Sequence, residues 1–116
     1  MKENNDIFLS ILTKDKKFKK VTEEMKELYE LKNKNYGDSF SKSFDEYGLT
    51  MVCIRLEDKL RRLKSLNKQT QSSSSEVNYD NESIRDTLID LANYSVMAIM
   101  EIDEGYNLRG RLNDQV

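Results

Sequence analysis

Glu82, Asp86, Asp90 and Asn93 recur at intervals of three and four residues, the spacing that stacks side chains on one face of a helix. At about 100° per residue they share a sector of about 80°. Ile84, Leu88, Leu91, Ala92, Ser95 and Ile99 take the opposite side, while Ile89, Met97 and Met100 lie among the polar residues on theirs. A helix that is apolar nearly all round is a central one. Carboxylates placed there need a cation, a hydrogen-bond donor or a ligand, because burying a charge unpaired is very costly. Such groups could hold a divalent metal or, together with Asn93, meet the base or ribose edges of a nucleotide.

A complementary set lies earlier in the chain. Arg55, Lys59 and Arg62 share one flank of a second amphipathic pattern, with Asp58 just beyond it; Glu57 and Arg61 point elsewhere, toward solvent. Set opposite the acidic stripe, these cations would either form an interhelical ion-pair network that fixes register or meet the phosphates of a ligand. A third cluster is Lys32-Asn33-Lys34-Asn35-Tyr36-Gly37-Asp38-Ser39-Phe40. Its lysines and glycine suit a helix C-terminus and Phe40 packs back, whereas Tyr36 and Asp38 resemble a stacking wall beside a polar anchor. Tyr94 sits at the edge of the stripe and fits half-buried core or base stacking.

The elements that must position these residues are all helical. The chain contains no proline and four glycines. A short amphipathic segment with Ile7, Phe8, Ile11 and Leu12 comes first, and a first clear helix is expected from an N-cap at Thr22 to about Tyr36-Gly37. A second is expected from about Asp45 to Leu66 with Leu49, Val52, Leu56, Leu60 and Leu63 as its core face. Residues 67–80, centred on Ser72 to Ser75, read as a flexible serine-rich loop. A third helix follows, capped by Asp80 or Asn81, to about Glu104, with a loose tail over 105–116. The expected fold is therefore all-α: one domain spanning 1–116 with its core over about 21–104. It is a small helical bundle whose second and third helices pair as an antiparallel hairpin.

Composition narrows the chemistry. Of 116 residues, 37% are hydrophobic and 34% charged, so the core is modest and a homodimer or higher homo-oligomer is expected to supplement it. The net charge of −2 argues against extended nucleic acid as a partner. Histidine is absent, which excludes His-based catalysis and ligation. Cys53 is the single cysteine; with no histidine to activate it, it is a poor nucleophile, and a chain without an internal disulfide fits the cytoplasm. No apolar run is long enough to cross a membrane, and the N-terminal residues do not read as a signal peptide.

Three blocks together resemble the nucleotide modification associated domain 1 family, small helical proteins common in bacteriophages. They are Lys-x-Lys-x-Tyr-Gly-x-Ser-Phe at 32–40, Ile-Arg-Leu-x-Asp-Lys-Leu-x-Arg-Leu at 54–63 and Glu-Ser-Ile-x-Asp-Thr-Leu-x-Asp-Leu-x-Asn-Tyr at 82–94. Asn35 stands where the resemblance implies an Asp before Tyr-Gly. The resemblance implies handling of a nucleotide, without a fixed reaction. The third block is similar, more distantly, to all-α nucleotide pyrophosphohydrolases of the MazG type, which hold Mg²⁺ between acidic pairs on neighbouring helices. Here the second helix offers only the adjacent Glu57 and Asp58.

The expected function is capture of a small nucleotide, with no cofactor. Lys34, Tyr36, Asp38, Arg55, Lys59, Arg62, Asp86, Asp90, Asn93 and Tyr94 are the candidate ligand-binding residues. In the host cytoplasm a phage protein of this kind would suit a sponge for an immune signal. The alternative is a Mg²⁺-dependent pyrophosphohydrolase with metal at Glu82, Asp86 and Asp90.

Overall fold

The computed structural model describes residues 2–72 and 82–114, with side-chain surroundings for 4–71 and 82–105. Four helices account for them: α1 (Lys2–Tyr36), α2 (Ser39–Tyr47), α3 (Leu49–Ser72) and α4 (Glu82–Asp114), and no strand occurs among the described residues. The all-α architecture with a central hairpin is as the sequence implies. Contacts divide the chain into two units, Met1–Gly37 and Asp38–Val116.

The first unit is the single helix α1, which does not begin at Thr22. No glycine or proline interrupts the chain before Gly37, so the helix is continuous from the N-terminal amphipathic segment onward. The Thr22 hydroxyl donates back to the carbonyls of Phe18 and Lys19, each at 3.0 Å. That is the bonding of a mid-helix threonine rather than of a cap. The ion pairs Lys19–Glu23 and Lys26–Glu30, at 3.9 and 3.8 Å, are exposed and contribute only a few tenths of a kcal/mol each, roughly. Helix α1 ends at Tyr36 as the sequence implies, with Gly37 in the left-handed region at φ 60°.

In the second unit the helix expected from Asp45 to Leu66 is two elements. Gly48 adopts φ 66° and ψ −152°, a region that side chains other than hydrogen resist. A Cβ there would meet nothing within 4 Å, so the need for glycine is conformational. The Gly48 N–H donates to the Phe44 carbonyl at 2.7 Å, and its own carbonyl accepts from the Met51 N–H at 3.2 Å. These bonds close α2 and open α3 within one residue.

Two further boundaries move. The loop expected from residue 67 begins later, because α3 runs on to Ser72 and Thr70 donates to the Asn67 carbonyl at 2.7 Å. The expected caps Asp80 and Asn81 and the rest of that loop lie outside the described residues. Helix α4 passes through Gly105 and Gly110 to Asp114 instead of stopping near Glu104. Isolated glycines cost about 1 kcal/mol each in a helix and need not end it.

Helices α3 and α4 pack antiparallel, and α2 lies against both. The core is Phe40, Met51, Val52 and Ala98, flanked by Phe44, Leu56, Tyr94 and Met97. Ile89 is buried outside that cluster, and Thr87 is the most buried side chain, its hydroxyl donating to the Ser83 carbonyl at 2.6 Å. Leu88, Ser95 and Ile99, expected to face inward, are exposed, as are Leu49 and Leu60 of the expected α3 core face. The reason is a rotation. The contact line of α4 runs through Thr87, Tyr94 and Ala98, along the seam between the polar stripe and the apolar side, so each falls on a flank.

Candidate functional site

Two pairings fix the hairpin's register. Lys59 Nζ lies 2.8 Å from Asp90 Oδ2, and the Arg55 guanidinium lies 5.9 Å from the Tyr94 ring centre. One turn back along α3 is thus matched by one turn forward along α4, as antiparallel helices require. Relative to the buried line through Val52, Arg55 and Lys59 sit about 60° and 20° to one side, at 100° per residue. Asp90 and Tyr94 sit at the same angles from Thr87. In an antiparallel pair, equal rotations fall on the same side of the hairpin, so all four share one flank.

On that flank α2 delivers Phe40. Its ring is nearly parallel to that of Tyr94, 12° apart in plane with centroids 6.1 Å apart. The Arg55 guanidinium is 6.0 Å from the Phe40 centroid and so spans both ring faces. The negative faces of the rings attract the cation, and Arg55 Nε is 3.0 Å from Met51 Sδ. Arg55 is half-buried, yet among the described residues no carboxylate pairs with it. Its terminal nitrogens are the planar donor fork that matches a carboxylate or phosphate.

The neighbouring pair behaves differently. Lys59 and Asp90 keep 29% and 18% of their side-chain surface, so their attraction is less screened than on an open surface. Ser41 of α2 donates to a Glu101 carboxylate oxygen and ties α2 to α4. The Arg61–Glu57 pair, 2.6 Å apart, points to solvent as the sequence implies.

The structure therefore brings together Arg55, Lys59, Asp90 and Tyr94, with Asn93 half-buried beside them on α4. Arg62 and Asp86 are exposed, and neither closes an ion pair across the hairpin among the described residues. Asp38 is exposed at the N-cap position of α2, at φ 60° and ψ 37°, and its side chain makes no capping bond. Lys34 and Tyr36 belong to the last turn of α1 in the other unit and are exposed. Glu82, Asp86 and Asp90 follow one another along α4 instead of converging. No group of three or more His, Cys, Asp or Glu among the described residues could hold a metal ion.

Phe40 belongs to this cluster, although the sequence reading gives it only a packing role. Its signal was Gly48, which ends α2 and lets a short helix fold over the flank.

These features define a small all-α domain, a helical hairpin with a cationic and aromatic patch on one flank. The chain belongs to the nucleotide modification associated domain 1 family, whose model matches residues 32–102. That range contains all three blocks that carry the resemblance. Searches of curated proteins and of solved structures found no match. Nothing in these comparisons adds support for the distant likeness to MazG-type enzymes.

Proposed function

We propose that this protein captures a small nucleotide on the polar flank of the α3·α4 hairpin. The observation that carries the reading is Arg55, a half-buried cation seated on two aromatic rings without a carboxylate partner among the described residues. A phosphate is the anion that its fork suits in a family named for nucleotide modification. Lys59 lies one turn away on the same flank, held by Asp90, so a phosphate there would share it with that carboxylate, and Asn93 lies half-buried beside them. Binding without conversion makes the protein a stoichiometric sponge, a role that fits a phage product acting on a host's nucleotide signal.

The test is the fate of the ligand. Purified protein is incubated with linear and cyclic nucleotides, with and without Mg²⁺, and free ligand is measured before and after heat denaturation. Loss of ligand that returns unchanged supports capture, and Arg55→Ala should weaken it more than Arg55→Lys does. Products that require Mg²⁺ would replace capture with hydrolysis and return Glu82, Asp86 and Asp90 to consideration as metal ligands. Unchanged nucleotide throughout would overturn both.

A further inference from the structure

Helix α1 carries a pattern that the hairpin does not. Ile7, Ile11, Phe18, Val21, Met25 and Leu28 lie on one repeat of alternating four- and three-residue steps, and Lys14 and Lys32 fill its remaining positions. The repeat holds for roughly three and a half heptads, long enough to mark a coiled-coil seam, in which the cover is another helix. Ile7, Ile11, Phe18 and Val21 are between 41% and 73% exposed. Helix α1 is the single element of its unit, and a helix draws most of its stability from packing its apolar stripe.

We propose that α1 pairs with α1 of a second copy of the chain as an antiparallel two-stranded coiled coil. The sequence of the stripe is its own complement when one copy is reversed, and its charges select that orientation. Two copies in register and pointing the same way would set Lys14 against Lys14 and Lys32 against Lys32 within the seam, where facing like charges are costly. Reversal removes both clashes. Lys14 then faces Met25 of the other copy, Lys32 faces Ile7, Ile11 faces Leu28 and Phe18 faces Val21. Every layer thus holds at least one apolar residue, and the lysine stems lie along it while their ammonium groups reach water. The edges of the seam agree. On one edge Lys17 comes beside Glu24 of the other copy, the kind of opposite-charge pair that sets orientation in coiled coils. On the other, Phe8, itself 60% exposed, comes beside Tyr29 and gains cover that nothing else in its own unit supplies. Each contact occurs twice, as a two-fold dimer requires.

The full chain is examined by sedimentation over a dilution series, and the expected mass is twice 13.6 kDa. Phe18→Glu and Val21→Glu alter side chains outside the core of Phe40, Met51, Val52 and Ala98, and each should return the mass to that of one chain. Leu88→Glu changes an exposed leucine of α4 and should leave the dimer intact. Orientation is read separately, with Lys14→Cys and Met25→Cys each placed in a chain that also carries Cys53→Ser. Mixed and oxidised, the two should join to each other by a disulfide, while neither alone should form a covalent dimer. A single-chain mass at every concentration would overturn the proposal. So would a dimer that survives both glutamates in α1, or Lys14→Cys chains that link to themselves and not to Met25→Cys chains.

Discussion

The two flanks of the α3·α4 hairpin contrast in what they cover. The polar flank is roofed by α2, and its charged groups are half-buried, with Arg55 over Phe40 and Tyr94 and Lys59 against Asp90. On the apolar flank, Leu49, Leu60, Leu88, Ile99 and Ile102 are about half exposed. In a self-sufficient small domain the coverage would be reversed, since apolar area gains most from leaving water. The inversion teaches that the short helix α2 shapes a polar patch while the apolar side of the same hairpin keeps much of its exposure.

The contrast depends most on Phe40. Phe40→Ala empties the core at the roof and should cost about 3–5 kcal/mol, read as a fall in the urea midpoint. A loss below about 1 kcal/mol would mean that α2 does not cover the polar flank as described. Next comes Arg55→Ala. Removing a charged donor from a bound phosphate is worth about 1.5–3 kcal/mol, so nucleotide affinity should fall by roughly ten- to a hundredfold, measured by calorimetry, with the helical signal retained.

Gly48→Ala addresses the joint that lets α2 reach the flank. It should destabilise by about 1–3 kcal/mol through backbone strain alone, and an unchanged thermal midpoint would show that the joint relaxes freely. Asp90→Asn leaves Lys59 partly buried without its anion. Its cost should lie between that of surface and buried pairs, about 1–2 kcal/mol. The smallest effect is expected at Arg61→Ala, below about 0.5 kcal/mol, because its pair with Glu57 is exposed. If Arg61→Ala costs as much as Asp90→Asn, the distinction between sheltered and solvated pairs fails.

Much of this arrangement was legible in the sequence, but not its rotation. The hairpin, the end of α1 at Tyr36 and the facing of Lys59 toward Asp90 follow from period and charge. The assignment of the Leu88–Ile99 side as core did not hold within one chain. Apolar period marks what avoids water and does not say whether the cover comes from the same chain or another. The seam position of Thr87 and Ala98 was equally hidden, because small and hydroxylated residues give weak signals although they permit close helix approach. Two errors had local causes. Gly48 sits inside an otherwise continuous apolar pattern that hides the break, and Thr22 has the type of a cap although nothing upstream interrupts the helix. Among the candidate residues, spacing puts Arg55, Lys59, Asp90 and Tyr94 within reach of one another, and the structure has them on one flank. It could not reveal that Lys34 and Tyr36 belong to a separate unit.

The stack of Phe40 on Tyr94 joins positions far apart in the chain, with the whole of α3 between them. Loop closure makes such a contact costlier to form early than the nearer pairing of Lys59 with Asp90. The hairpin should therefore zip first and the aromatic seat under Arg55 assemble afterwards. The aromatic seat is then a late event in folding, and a newly made chain would complete it only once α4 has emerged as far as Tyr94.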